Sequence, residues 1–283
     1  MAVLQVHDAL PRLREAFHRG RLIPFLGAGF SMPLRLPSWT ELIAWMAERL
    51  GWEPELFALH GTAAQMAEFF ALEPNAFDEL VHEMTVRFDG AEAQARRRDS
   101  LTHRALAARA WRTIYTTNFD RHIEGALADA GKPCQVLAAL GDFLLPRPEH
   151  ACEVVKFHGT LSRKETMVLR ESDFFARMDL NAAVDQRLRA DLLGHSFLFI
   201  GYSFTDTNIR YIWYRMNKLL AERQQRHGRG PPRPRPPPLH DDRDHRALAP
   251  ANRRRRLTDP RSSPEQGPDR PVRSGPCCLR PFL

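Results

Sequence analysis

The chain of 283 residues is long enough for one large domain, or for a domain with an appendage, and its 43% apolar residues suffice for a packed core. Its net charge of +7 resides in residues 222–283, which hold 15 arginines and seven acidic residues and leave 26 basic and 27 acidic residues for residues 1–221. This near-neutral balance excludes a broadly basic nucleic-acid surface on the first 221 residues.

The cysteines and the apolar runs exclude further classes of protein. Cys134, Cys152, Cys277 and Cys278 contain no Cys-x-x-Cys pair, so no zinc ribbon and no metal site is expected. The first 17 residues have the pattern of an amphipathic helix rather than that of a signal peptide. No run approaches the ~20 apolar residues of a membrane span. We therefore expect a soluble, cytoplasmic protein without membrane contact.

In chain order, apolar strand-like runs alternate with helical patterns. Strands are predicted at residues 22–26, 113–116, 134–137, 153–157 and 197–200. Helices are predicted from a cap at Ser38 or Thr40 to a stop at Gly51, and at residues 119–130, 180–193 and 206–221. Residues 55–110 read as several helices without a strand. The pattern indicates an α/β fold, a Rossmann-like doubly wound parallel sheet with a helical insert at about 55–110.

A change of composition predicts the end of this domain at residue 221. Residues 222–283 are rich in arginine and proline and have almost no aliphatic periodicity, so they cannot bury enough surface to offset the entropy of ordering. Three interpretations of this predicted disordered basic tail remain open. It is an arm that contacts nucleic acid, a segment without a role, or a segment that is not the natural continuation of the gene, in which case a downstream domain is missing.

Four of the five predicted strands end in a motif of glycines and polar residues. The first two such motifs follow the strands at residues 22–26 and 113–116. Gly27-Ala28-Gly29-Phe30-Ser31 comes after the first strand, where glycines let backbone N–H groups approach a pyrophosphate. The third glycine of a dinucleotide fingerprint is lacking, and a simple tight turn is the alternative. Thr116-Thr117-Asn118-Phe119-Asp120 follows the second strand, and there the alternative is that Asn118 caps a helix with Asp120 in its first turn.

The other two motifs follow the fourth and fifth strands. His158-Gly159 comes directly after an apolar strand, where a neutral imidazole would serve as a general base and a purely structural histidine is the alternative. Gly201-Tyr202-Ser203 opens the last polar stretch, where Ser203 would face a ribose or phosphate; the alternative is a helix start capped by Asp206. Because the carboxyl ends of parallel strands share one edge, the four motifs are expected in one crevice.

The order and spacing of these motifs resemble the sirtuin superfamily over about residues 20–215. Its Gly-Ala-Gly-x-Ser, Thr-x-Asn-x-Asp, His-Gly and Gly-x-Ser signatures match Gly27–Ser31, Thr116–Asp120, His158-Gly159 and Gly201–Ser203. Pro37 keeps the register of the family's Gly-Ile-Pro-Asp-Phe-Arg run, and Trp39 falls where its Phe would be. Arg35, Ser38 and Thr40 replace the Gly, Asp and Arg of that run, which leaves those contacts in doubt.

The resemblance implies an NAD-binding catalytic site. It assigns Asp120 to the nicotinamide carboxamide, Asn118 to the ribose and the attacking water, and His158 to general base. Residues of the first loop would hold the pyrophosphate, and Ser203 would contact the adenosine side. The NAD-binding residues implied are Gly27, Ala28, Gly29, Ser31, Trp39, Thr117, Gly201, Ser203 and Asp206. Nicotinamide is itself a good leaving group, so NAD is the substrate and no metal is expected.

The absent zinc ribbon separates this chain from the protein deacylases of the superfamily. The zinc-free form resembles sirtuin-like domains of bacterial anti-phage defence, which implies an NAD hydrolase that releases nicotinamide and ADP-ribose. A short Argonaute or a missing downstream domain would be the sensor, in a homo- or hetero-oligomer. The alternatives are an NAD-dependent protein deacylase, a non-catalytic NAD or ADP-ribose sensor, and a nucleic-acid-binding module that uses the arginine-rich tail.

Overall fold

The computed structural model describes residues 6–59, 61–179 and 181–202, together with residues 214, 217 and 218. The described helices are α1 (Val6–His18), α2 (Trp39–Leu50), α3 (Pro54–Ala58), α4 (Ala63–Phe70), α5 (Ala76–Asp89), α6 (Ala91–Asp99), α7 (Leu101–Ala107), α8 (His122–Asp129), α9 (Leu140–Phe143), α10 (Glu171–Ala176) and α11 (Ala183–Asp191). The strands are β1 (Leu22–Leu26), β2 (Thr113–Thr116), β3 (Cys134–Leu137), β4 (Cys152–Lys156) and β5 (Ser196–Ile200). The predicted alternation of strands and helices is confirmed.

The described strands form one parallel sheet in the order β3-β4-β2-β1-β5. From β1 the chain continues to β2 and then to the edge strand β3, and β4 lies between β3 and β2. The chain then crosses back to place β5 on the other side of β1. This reversal is the doubly wound topology that the sequence predicts, and it puts the switch point between β1 and β5. Ligands of such sheets bind beyond the carboxyl ends of the strands at that point.

Both faces of the sheet are covered by apolar side chains, as a parallel sheet requires. On one face Phe25 of β1 stacks on Tyr115 and Phe199, with ring centroids 5.5 and 5.2 Å away. On the other face Ile114 and Val154 pack in a cluster that includes residues of α8. Burial of all five residues of β1 explains why its sequence has no polar alternation.

The helices α2 to α5 surround a core of their own. Met46, Phe57, Phe70 and Leu80 are completely or almost completely buried there. The described part of residues 55–110 contains helices and no strand, as predicted. Phe119, which follows β2, belongs to the same cluster. The insert therefore packs directly against the loop that follows β2.

Local signals set most helix ends. Ser38 and Glu41 form a reciprocal capping box at the start of α2, and Gly51 ends that helix in the left-handed conformation, as predicted. The helix after β2 begins at His122 rather than at residue 119, because the Asp120 carboxylate accepts the His122 N–H in a turn that precedes α8. The interpretation of Asn118 as a helix cap is therefore wrong.

The later elements follow the prediction with small shifts. The strand predicted at 153–157 begins one residue earlier, and the helix predicted at 180–193 is α11, preceded by the unpredicted α10. The helix predicted at 206–221 lies outside the described residues except for Tyr214, Asn217 and Lys218, which are helical.

Within the described ranges, no helix has both the length and the apolar character needed to cross a bilayer.

Candidate functional site

The four strands that carry the sequence motifs are immediate neighbours in the sheet, in the order β4-β2-β1-β5. Their last residues are in register, with Leu26 beside both Thr116 and Ile200, and Thr116 beside Lys156. The edge strand β3 carries no motif. The segments that follow these four strands therefore begin at one edge of the sheet.

A chain of buried hydrogen bonds joins two of the motifs. The Asn118 side-chain amide donates to the Ser31 hydroxyl over 3.1 Å, and that hydroxyl donates to a carboxylate oxygen of Asp120 over 3.2 Å. All three residues are buried, although Ser31 lies 87 positions before Asn118 and 89 positions before Asp120 in the sequence. Burial makes each of these bonds necessary, since an unpartnered polar group there would be costly. The first two predicted motifs thus form one polar network.

The glycines after β1 and β5 allow the two loops to touch backbone to backbone. The N–H groups of Gly27 and Gly29 donate to the carbonyl oxygens of Ile200 and Gly201, each over 2.9 Å. Gly201 has a φ of +75°, and a Cβ on it would lie 2.2 Å from the Phe30 nitrogen. Two of the four residues predicted to hold the pyrophosphate, Gly27 and Gly29, therefore use their N–H groups to bind the β5 end. Ala28 is the exposed residue of the Gly27–Ser31 loop.

Thr117 is tied to the same junction by a residue that the sequence reasoning did not single out. Its hydroxyl is 2.8 Å from the Tyr202 hydroxyl, which in turn donates to the Leu26 carbonyl over 3.1 Å. Tyr202 lies inside a recognised motif, next to Gly201, and that position is the signal that could have identified it. It links the ends of β1, β2 and β5.

His158 follows β4 at the position equivalent to Asn118 after β2, because Thr116 and Lys156 are register partners and each residue lies two positions further on. The imidazole contacts the rings of Phe157 and Phe174. Burial, with a smaller contribution from the Arg177 charge, lowers the pKa of His158 to about 3. No hydrogen bond to the ring is present among the described residues, so a neutral imidazole with a free acceptor nitrogen remains for a ligand.

The backbone conformation at position 159 explains why a glycine follows His158. The φ of Gly159 is +83°, and a Cβ there would lie 2.1 Å from the Thr166 carbonyl oxygen. The His158 carbonyl meanwhile accepts the Val168 N–H over 2.9 Å. The tight return of the chain after β4 therefore fixes the backbone that carries the imidazole.

Two cations, a half-buried arginine and a fully buried lysine, support the strand ends, and neither was predicted. Arg177 donates to the Phe157 carbonyl over 2.9 Å, lies over the Phe157 ring and pairs with Asp185. Lys156 is fully buried and pairs with Glu124 over 2.9 Å. A lysine inside the apolar run Val154–Phe157 was the available signal, since buried lysines require partners.

One predicted residue, Trp39, does not join this network. Trp39 is the first residue of α2, with 41% of its surface exposed, and no bond to Ser31, Asn118 or Asp120 is present in the described structure. Ser203 and Asp206 lie outside the described residues. In the part of the chain that the structure covers, no group of three or more His, Cys, Asp or Glu residues could hold a metal ion.

Comparison with known proteins gives one family match and several relatives. Residues 112–254 match the family model described as a SIR2-like domain. The chain is 32% identical to the NAD(+) hydrolase ThsA of Cytobacillus dafuensis over 213 residues, which is 75% of this chain and 41% of the relative. It is 29% identical to the protein of that name from Enterococcus faecium over 219 residues, covering 77% and 44%.

A further relative is the Defense-associated sirtuin 2 of Bacillus subtilis, 25% identical over 223 residues, which cover 77% of this chain and 21% of the relative. The chain thus spans less than half the length of each of these relatives.

Proposed function

Because this chain belongs to the SIR2-like domain family, we propose that it hydrolyses NAD, releasing nicotinamide and ADP-ribose, in prokaryotic anti-phage defence. The observation that carries the proposal is the buried network of Ser31, Asn118 and Asp120, with a neutral His158 at the end of the neighbouring strand. The names of the relatives, NAD(+) hydrolase and defence-associated sirtuin, support the choice of substrate and setting.

In the proposed reaction the bond between C1′ of the ribose and the nicotinamide nitrogen breaks, and its electron pair leaves with nicotinamide, which becomes neutral. The ribose passes through an oxocarbenium-like state, and water adds to C1′. His158 accepts the proton that the water loses. Its low pKa keeps it unprotonated at neutral pH, so the imidazole is in the form that can accept a proton.

Asn118 and Asp120 are proposed to orient the reacting groups. The Asn118 amide would hold the ribose hydroxyls and the water, and Asp120 would accept a hydrogen bond from the carboxamide N–H₂. Both Asp120 carboxylate oxygens already accept one bond, from Ser31 and from the His122 N–H. A carboxylate has about four acceptor positions, so capacity for the carboxamide remains. Positioning of this kind contributes a large part of enzymatic rate enhancement.

The first test is nicotinamide release from NAD by the wild-type chain and by Asn118→Ala and His158→Ala, without any acylated peptide in the assay. We expect both variants to lose activity, by about 10²-fold or more for the loss of a general base. His82→Ala, an exposed histidine on α5, is the matched control and retains wild-type turnover. Undiminished release by either site variant, with unchanged thermal unfolding, would remove that residue from the mechanism.

The second test concerns defence. The proposal places the reaction in the cytoplasm, which holds the NAD pool, with a sensor that is a partner such as a short Argonaute or a further domain. The relatives named NAD(+) hydrolase have more than half of their length outside the matched region, which leaves room for such a domain in them. Cellular NAD is expected to fall after phage infection in cells with the wild-type protein, but not with His158→Ala. A constant NAD level in both strains would contradict the defence role.

A further inference from the structure

Lys156 is the last residue of β4, and its side chain is completely buried. The neighbouring Val155 and Phe157 belong to the apolar cluster on one face of the sheet. A lysine is almost never buried in this way unless its charge has partners, because removal of an ammonium from water is expensive. The partners therefore indicate what this lysine does.

The ammonium group has three N–H donors and three acceptors. It donates to the backbone carbonyl of Asp120, to the backbone carbonyl of Asn118 over 3.4 Å, and to the Glu124 carboxylate over 2.9 Å. Two of the three acceptors thus belong to the two residues proposed to orient NAD. The third is on α8, the helix that follows them.

The segment from Asn118 to Asp120 is therefore held from two directions. Ser31 binds the side chains of Asn118 and Asp120, whereas Lys156 binds their main-chain carbonyls. A shift of the backbone would move both side chains together. Displacements of about 1 Å at a reacting group can cost about 10²-fold in rate.

We propose that Lys156 is a positioning residue, whose buried ammonium fixes the backbone of Asn118 and Asp120 in the geometry that NAD cleavage requires. This inference rests on the proposed function. The competing explanation is that Lys156 and Glu124 form only a structural ion pair. The two explanations differ, because an apolar pair of similar volume can replace a buried ion pair without loss of stability but cannot bind two carbonyl oxygens.

The experiment compares Lys156→Met with the double variant Lys156→Met/Glu124→Leu. The single variant leaves Glu124 buried without its partner, so we expect a lower unfolding midpoint. The double variant removes both charges and is expected to recover part of the lost midpoint, because the two carbonyl oxygens still lack their donor. We expect its kcat for nicotinamide release to remain about tenfold to a hundredfold below wild type. Its affinity for ADP, which lacks both the nicotinamide and the ribose assigned to Asn118, is expected to stay within about twofold of wild type.

The control is Arg97→Met/Asp129→Leu, which replaces an ion pair between the buried Arg97 and the exposed Asp129 at the other end of α8. We expect this control to retain wild-type kcat. A double variant Lys156→Met/Glu124→Leu with partly recovered stability and wild-type kcat would overturn the positioning role. Loss of ADP binding in that double variant would overturn it as well, because the whole site would then be disturbed.

Hydrogen exchange followed by mass spectrometry gives a readout that does not depend on turnover. In the double variant, peptides that cover residues 117–121 are expected to exchange faster than in wild type, while peptides from β1 and α5 are unchanged. Unaltered exchange at residues 117–121 would contradict the inference. A wild-type chain that releases no nicotinamide would count against the proposed function alone, and the exchange measurement would still decide the role of Lys156.

Discussion

At the scale of single residues, the imidazole of His158 is held in its neutral form. Burial is the main cause of its lowered pKa, and the nearby Arg177 guanidinium adds to it. The pKa of His103, which is buried beside the ring of Phe30, is lowered to about 4, again mainly by burial. Both histidines therefore stay uncharged in the folded chain at pH values where an unfolded chain would protonate them.

This difference makes stability depend on pH with a definite sign. Between the unfolded pKa of 6.5 and the folded pKa of about 3, the unfolded chain binds a proton that folded His158 does not. The free energy of unfolding therefore falls as the pH drops below 6.5, by about 1.4 kcal/mol per pH unit for each such histidine. His158→Gln is expected to reduce the pH dependence of the unfolding free energy by the contribution of one histidine, because unfolding then takes up one proton fewer. Urea unfolding between pH 7 and 4.5 measures this difference. Parallel curves for the variant and wild type would contradict the assignment.

The shared hydroxyl of Ser31 gives a second prediction at this scale. Ser31→Ala leaves the Asn118 amide without its acceptor and Asp120 without one of its donors. A hydrogen bond between buried groups contributes about 1 kcal/mol, and an unsatisfied partner costs about 1–3 kcal/mol. We expect kcat for nicotinamide release to fall by about tenfold or more.

Thr62→Ala is the control for Ser31→Ala, because it also removes a hydroxyl that accepts a hydrogen bond, here from the Gln65 backbone N–H at the start of α4. It is expected to lower stability by about 1 kcal/mol without an effect on turnover. Equal turnover in the two variants would show that the Ser31 hydroxyl does not support the site.

At the scale of elements, the junction between β1 and β5 depends on the absence of side chains. Gly201 combines a positive φ with a position where a Cβ would meet backbone atoms of Gly29 and Phe30. Gly131, after α8, has a similar φ of +67° but open space around it. These two glycines therefore separate the cost of the backbone conformation from the cost of crowding.

Gly131→Ala is expected to lower the free energy of unfolding by about 1 kcal/mol, the cost of placing a residue with a Cβ in the left-handed region. Gly201→Ala adds overpacking against backbone that cannot move aside, so the total loss is expected to be about 3 kcal/mol or more. Nicotinamide release should also fall, because the β1 loop must shift. Denaturant unfolding measures both losses, and similar values for the two variants would contradict the predicted crowding.

The elements also show what the sequence could and could not predict. The bounds of β1, β2 and β3 were predicted correctly, and β1 is the clearest case because its apolar run ends sharply at Gly27. The start of α8 was missed because a carboxylate turn at Asp120 takes the place of a helical cap at Asn118. The roles of Lys156 and Arg177 were missed because their partners are backbone carbonyls and carboxylates brought near by folding, which spacing along the chain does not reveal.

At the scale of the whole molecule, the sheet order explains why separate motifs meet. The motifs after β1, β2, β4 and β5 share an edge only because β4 lies beside β2 and β5 beside β1. The sequence predicts parallel strands but not this order, since β3 takes the outer position although it precedes β4. The sequence predicts the helices between residues 55 and 110, but it does not predict that they contact Phe119.

The distribution of charge over the whole chain leads to a prediction about nucleic acid. Residues 1–221, proposed as the catalytic domain, have 26 basic and 27 acidic residues, whereas residues 222–283 carry a net charge of +8. Phosphate contacts by arginine and lysine supply most non-specific affinity for DNA and make it fall with salt. All affinity of the chain for duplex DNA is therefore expected to reside in residues 222–283.

The measurement is fluorescence anisotropy of a labelled duplex, titrated with the full chain and with chains that end at residues 221 and 254 over a range of salt concentrations. The family match extends to residue 254, so the chain of intermediate length also tests the domain boundary proposed at residue 221. Any binding by the full chain should weaken with salt, and the chain ending at 221 should show none near 0.15 M salt, about the physiological ionic strength. Cooperative thermal unfolding of the shortest chain would support the boundary at 221. Retained DNA binding by that chain would instead locate the basic surface on the folded domain, where its neutral net charge gives no reason to expect one.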